Sequence, residues 1–296
     1  MCRSSRPHFC HNGRMDLVQS LQAALGGPQS FWLSVTQLGS DYAFIILMGL
    51  YIFLINPRGA RDFGVWFALS LLTNGVLKTV FNEPRPFVVN PDVASEAARA
   101  TAGGPGLPSG HAQISTTIWG ITAVALRSRV FWAVAALVVL LVSLSRVVLG
   151  VHYVSDVLLG LALGAVFVAL AATVRVPRAE GVWRYVVPAV ALVAAQLFDG
   201  VAYVSMSMGL LAGFWLTRTT FEGHRAWGPR LLGTVVGLAL VFAVYFAFRV
   251  IPREIRETGV VEALRYLVLV LVATEAVPRL LRLPRATPVP ATVTSA

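Results

Sequence analysis

Nine stretches of almost uninterrupted apolar residues, each close to the roughly 20 needed to cross a bilayer as a helix, limit what this 296-residue chain can fold into. They fall at about 40–56, 63–81, 109–126, 130–149, 154–174, 184–198, 200–216, 231–248 and 261–277. Backbone in hydrocarbon must satisfy its own hydrogen bonds, so the expectation is an all-α, polytopic transmembrane bundle of about nine spans. Composition agrees, with 56% hydrophobic and 13% charged residues against the quarter or so of charge in a soluble domain. The sixth and seventh blocks are short and parted only by Asp199 and Gly200, which reads as a tight hairpin or one broken segment.

Ahead of the blocks, residues 1–38 read as a tail followed by an interfacial helix. Residues 16–38 mix polar groups with Leu21, Leu25, Phe31, Trp32 and Leu38 around a Gly-Gly-Pro break. The first fourteen residues carry Arg3, Arg6 and Arg14 without an apolar core, unlike a signal peptide, and Met15 is a second candidate start. Cys2 and Cys10 stand before the first expected element, so no disulfide framework or cysteine metal site spans the fold. Residues 284–296 alternate Pro, Ala, Thr and Val without periodicity and are expected to be disordered.

The formal net charge is +10, but the arginines sit singly or in pairs at block ends and form no basic face, which argues against nucleic acid. They follow the positive-inside rule if the N-terminus lies outside. The connections then inside carry Arg58 and Arg61; Arg127 and Arg129; Arg175, Arg178 and Arg184; Arg218, Arg225 and Arg230; Arg279, Arg282 and Arg285. The long connection 83–107, with Glu83, Asp92 and Glu96, faces the exterior. The bias to Arg over Lys and to Ala, Gly and Val points to a GC-rich bacterial source, hence a bacterial cell membrane.

Three polar stretches, 78–86, 108–111 and 145–156, sit at block ends on that exterior side, where ionisable groups are costly and mark function. Lys78, the only lysine, and Arg85 are two helical turns apart, although Pro84 and Pro86 should break the helix near the arginine. Alone, the pair would read equally as snorkelling cations. Pro108-Ser109-Gly110-His111 reads as a helix start whose cap and free backbone N–H groups favour an anion. His152 and Asp156 stand one helical turn apart, so the carboxylate can hold one ring nitrogen and leave the other as a nucleophile.

Together, Lys78-x6-Arg85-Pro86, Pro108-Ser109-Gly110-His111 and Ser145-Arg146-x5-His152-x3-Asp156 resemble the three-part signature of the type 2 phosphatidic acid phosphatase and vanadium haloperoxidase superfamily, with no motif position missing. The resemblance covers roughly 40–175, which implies a catalytic transmembrane core at 39–176 and additional helices at 177–283. It implies that Lys78, Arg85, Arg146, Ser109 and the N–H of Gly110 bind the phosphoryl oxygens. His152 would attack phosphorus to give a phosphohistidine, Asp156 would orient it, and His111 would protonate the leaving group and then activate water. No metal or other cofactor is implied.

The expected substrate is a lipid phosphate or diphosphate at the exterior membrane face: phosphatidic acid, phosphatidylglycerol phosphate, a polyprenyl diphosphate or a sphingoid phosphate. The rivals are a vanadate-dependent haloperoxidase, disfavoured by nine spans, and a non-catalytic lipid binder or transporter, disfavoured by a complete motif set. The sequence sets no oligomeric state. Asp41, Glu262 and Glu275 read as interfacial or bundle-facing, with contact to a substrate headgroup the minority reading, and Tyr203, Met206 and Met208 as packing, with a lipid-tail groove formed with the extra spans the alternative.

Overall fold

The computed structural model describes residues 7–201, 203–218, 221–222 and 226–284, and the regular elements among them are all helices. The eleven used below are α1 (Pro7–Leu25), α2 (Gln29–Thr36), α3 (Asp41–Leu50), α4 (Ala60–Phe81), α5 (Gly110–Leu126), α6 (Arg129–Val148), α7 (Val154–Thr173), α8 (Trp183–Leu197), α9 (Val204–Leu216), α10 (Trp227–Ala247) and α11 (Gly259–Leu271). Short π-helical stretches extend α3 through Tyr51–Ile55 and α11 through Val272–Ala276.

Each apolar block carries one helix. Four stretches, Pro57–Val89, Arg129–Val148, Val154–Thr173 and Trp227–Val250, are long and apolar enough to cross a membrane. A fifth results if Gln29–Gln37 and Asp41–Ile55, bent by 43°, count as one span. The remaining apolar helices are shorter, at 17 residues in α5, 15 in α8, 13 in α9 and 13 in α11. Blocks six and seven form a hairpin, since α8 and α9 pack against each other.

The N-terminal region differs from expectation in where it begins. Helix α1 starts at Pro7 and contains Cys10, and the Gly26-Gly27-Pro28 break separates it from α2. It does more than lie at an interface: Val18 is fully buried and Met15 nearly so, packed with Tyr153 and Val157. Gln22 fastens it by donating to the carbonyls of Val93 and Val148 at 2.7 and 2.9 Å. The unstructured tail expected at 284–296 lies, apart from Pro284, outside the described residues.

Close approach of α5 and α7 sets the site. A Cβ on Gly160 would stand 2.6 Å from the Ser109 carbonyl oxygen, and one on Gly164 would stand 2.7 Å from that of Gln113. Small residues four apart let helices in lipid meet backbone to backbone, where apolar burial against apolar lipid supplies little drive. Polar side chains hold α4 to α5: Asn74 donates to Gln113 at 2.8 Å, Gln113 donates to the Ser70 carbonyl at 2.8 Å, and the Ser70 and Thr117 hydroxyls meet at 2.9 Å.

The C-terminal helices pack by the same rule. A Cβ on Gly209 of α9 would stand 2.1 Å from the Ala263 carbonyl oxygen of α11. Gly64 of α4 receives the Phe214 ring, where a Cβ would come within 2.2 Å. The basic connections gather at one end of the bundle: Arg61 donates to the Val176 and Pro177 carbonyls at 3.0 and 2.8 Å, and Arg58 pairs with Glu222. The three polar motif stretches gather at the other.

Replacing Gly160 with valine should force α5 from α7 and lower stability by about 1–3 kcal/mol through overpacking against backbone. Thermal unfolding in detergent measures this, and phosphate release should fall with it; an unchanged melting temperature would contradict the close-contact account.

Candidate active site

Each motif residue reaches the site from the end of a helix. Helix α4 stops at Phe81, where Asn82 caps it in the left-handed region (φ 44°) and Pro84 forbids continuation, leaving Lys78 in the last turn. Arg85 lies past the helix end, where Pro84 and Pro86 were expected to break it. It lies in extended backbone (φ −75°, ψ 159°) ahead of the one-turn helix Pro86–Val89 and reaches the site from there.

His152 likewise does not share a helix with Asp156. It sits in the turn after α6, where the N–H groups of Val151 and His152 both donate to the Arg146 carbonyl. Gly150 shapes that turn with φ 70°, and a Cβ there would stand 2.0 Å from the Val93 carbonyl oxygen. Asp156 occupies the first turn of α7, accepting from the Tyr153 backbone N–H at 3.1 Å and from His152 Nδ1 at 3.1 Å. Four-residue spacing thus brings the pair together through a capping turn.

Arg85 Nη1 lies 2.8 Å from His152 Nε2. A guanidinium only donates, so Nε2 accepts and Nδ1 carries the proton given to Asp156, which fixes the neutral tautomer with its lone pair toward the cations. Burial holds the His152 pKa well below the ordinary imidazole value, helped by the charges of Arg85, Lys78 and Arg146.

The three cations are nearly inaccessible, at 2% exposure for Lys78, 4% for Arg85 and 1% for Arg146. Loop 101–106 meets all of them. Lys78 Nζ donates to the carbonyls of Pro105 and Gly106 at 2.6 and 3.1 Å, and Arg85 donates to those of Gly104 and Gly103 at 2.8 and 2.7 Å. Arg146 donates to the Thr101 carbonyl and hydroxyl at 3.0 Å each and to the Thr36 hydroxyl at 2.5 Å.

Ser109 caps α5 through Ala112 at 3.5 Å, and its N–H donates to the Asp156 carbonyl at 2.9 Å. Gly110 and His111 then face a cavity of about 340 Å³ that Thr36, Asp41, Thr101 and Tyr203 also line. Among the described residues, no group of three or more His, Cys, Asp or Glu stands close enough to hold a metal.

Arg14, Thr36, Thr101 and Tyr203 went unseen in the sequence. Arg14 of α1 donates to Glu83 at 2.9 Å and to Asp156 at 3.3 Å, and its guanidinium lies 4.1 Å from the Tyr153 ring centroid. Nothing local marks it, since its carboxylate partner lies 142 positions away. Tyr203, read as packing, holds a left-handed backbone (φ 65°) and places its hydroxyl 3.0 Å from where a Cβ on Gly110 would lie. The Asp199-Gly200 break was its available signal, because it set a turn at the site's end of the bundle.

Residues 59–180 match the family model described as PAP2 superfamily. Residues 201–286 match the one described as PAP2 superfamily phosphatase, transmembrane extension. An undecaprenyl-diphosphatase of Sulfolobus acidocaldarius is 30% identical over 148 residues, spanning 48% of this chain and 67% of the relative. The chain belongs to the PAP2 superfamily of phosphatases. The motif stretches from Lys78 to Asp156 all lie within the first match, and Tyr203 lies within the extension. The extension match and the apolar helices make it an integral membrane protein. A crystal structure of a transmembrane PAP2-type phosphatidylglycerolphosphate phosphatase from Bacillus subtilis is similar at a TM-score of 0.47 and 22% identity, covering 55% of this chain and 85% of that one.

Two outcomes follow from this geometry. Because the His152 pKa is lowered, the imidazole stays neutral as pH falls through the range where a free histidine protonates, so the acid limb of kcat/KM should lie below about pH 6.5. A pH–rate profile checks this. Replacing Arg14 with alanine should lower kcat about fivefold with little change in KM, because a partly exposed ion pair contributes up to about 1 kcal/mol. Lysine at that position should restore part of the loss.

Proposed function

We propose that the chain hydrolyses a lipid phosphate or diphosphate through a phosphohistidine on His152. The observation that carries this reading is His152 itself: Nδ1 is held by Asp156 while Nε2 points into a nest of three buried cations. Three cations against one buried carboxylate leave a net positive site, expensive to bury unless its occupant is a multiply charged anion. Phosphoryl transfer needs mainly positioning and neutralisation of equatorial oxygens, and these groups supply both.

Nε2 attacks phosphorus as the ester oxygen departs, and His111, facing the cavity, gives that oxygen its proton. Lys78, Arg85, Arg146, Ser109 and the Gly110 N–H hold the phosphoryl oxygens, which take the place of the loop carbonyls. His111 then removes a proton from water, which attacks phosphorus, breaks the P–N bond and releases phosphate and free His152. Residues 39–176 act as the catalytic core and 177–283 as added membrane helices. Read as nine spans with the shorter helices counted, the bundle would have its basic connections inside and its site at the exterior face of a bacterial membrane, a topology that rests on the arginine bias.

Support for a lipid substrate comes from the family and from the relative named for a lipid diphosphate. The test is phosphate release by the purified, detergent-solubilised protein in EDTA across a panel of lipid phosphates and diphosphates. Activity should persist under chelation and fall at least about a thousandfold in His152→Ala. A fully active His152→Ala would overturn the nucleophile assignment. Lys78→Arg should lose about tenfold, since a planar fork cannot occupy the place of a compact ammonium.

A further inference from the structure

The cavity beyond His111 does not end at polar groups. Asp41 and Phe44, at the start of α3, line both it and a second, almost wholly apolar slot. This slot follows α3 from Asp41 to Ile52, roughly 16 Å at 1.5 Å per residue. Its opposite wall belongs to the extension: Met206 and Leu210 from α9, Leu269 from α11 and Ala273 just beyond. Its volume of about 60 Å³ leaves room on the order of four methylene groups.

We propose that the extension builds an alkyl-chain subsite for the leaving group, entered past Asp41 and Phe44. The inference rests on the phosphatase reading for its headgroup end and commits to one occupant, an unbranched hydrocarbon chain of the phosphate ester. Three features carry it: the slot shares Asp41 and Phe44 with the cavity that His111 faces, it has scarcely any polar lining, and it follows α3 away from that cavity. Asp41 has no hydrogen-bond or ion-pair partner among the described residues and stands where the polar cavity meets the apolar slot. The slot also gives Tyr203 a context, since it heads α9 and lines the same cavity.

Each methylene moved from water into such a slot improves binding about fourfold. A long-chain alkyl phosphate should therefore be preferred over a short-chain one, and the preference should fall at least about tenfold in Ala273→Phe, which fills the slot. Met206→Ala, which widens it, should let branched chains compete. The structural readout is independent of turnover: full-length protein is photolabelled with an alkyl phosphate carrying a diazirine near the chain end, and the labelled peptides are mapped.

Label on α3, α9 and α11, lost in Ala273→Phe, supports the subsite. Label confined to α5–α7, or a chain-length preference unchanged in both variants, overturns it. Label in the slot without phosphate release from any substrate would leave the subsite standing and remove the hydrolytic reading.

Discussion

The site and the fold both depend on one carboxylate. Asp156 Oδ2 accepts from His152 Nδ1 and from the Tyr153 N–H, its Oδ1 accepts from Arg14, and its backbone carbonyl accepts from the Ser109 N–H. These bonds tie the first turn of α7 to the catalytic turn, to α1 and to the start of α5. An acidic residue in a first helical turn is also favoured by the helix dipole and satisfies a donor that the helix leaves open. The interaction that begins α7 is therefore the one that sets the histidine tautomer, and no substitution at 156 separates the two jobs.

Three guanidinium or ammonium groups at the end of a membrane bundle need compensation, and carboxylates supply little of it. Loop 101–106 supplies carbonyl oxygens instead, each converging on a cation. Gly104 takes a left-handed φ of 62°, and a Cβ on Gly106 would stand 3.1 Å from Asp156 Oδ2. Carbonyl dipoles neutralise less than full charges do, so the cations keep most of their attraction for an incoming anion. The loop thus holds the arginines and lysine in place without cancelling their charge, as a ring of acidic residues would have done.

What could be read from sequence was what periodicity and short spacing encode. Apolar blocks located the helices from α3 to α11, though not the 19-residue α1, and the polar stretches at their ends located Lys78, Arg85, Ser109, His111, Arg146, His152 and Asp156 at one end of the bundle. Local geometry was harder. Pro84 and Pro86 marked the break before Arg85, but His152 lies outside the helix that its spacing to Asp156 had suggested, because Gly150 imposes a turn whose course depends on what it packs against. Arg14 and Tyr203 were illegible for a different reason. Their contacts cross long stretches of chain, and an arginine in a polar N-terminal segment or a tyrosine beside a methionine pair has no local signature of the pocket it enters.

The same distinction explains how the two family-matched segments combine. Helix α4 belongs to the core, yet its Gly64 accepts the fully buried Phe214 ring of α9, so the extension is keyed into the core toward the end bearing the basic connections. Toward the other end, bulk recedes from that contact and the slot beside α3 opens next to Asp41. A rigid joint at one end and a gap at the other follow from the same packing of α9, since small residues at 209 and 213 draw it onto α11 and leave its other side only partly filled. Lys78, Arg85, Arg146 and His152 all lie in the first matched segment, whereas the cavity and the slot are lined from both. Under the proposed reading, chemistry and chain recognition fall to different parts of the chain.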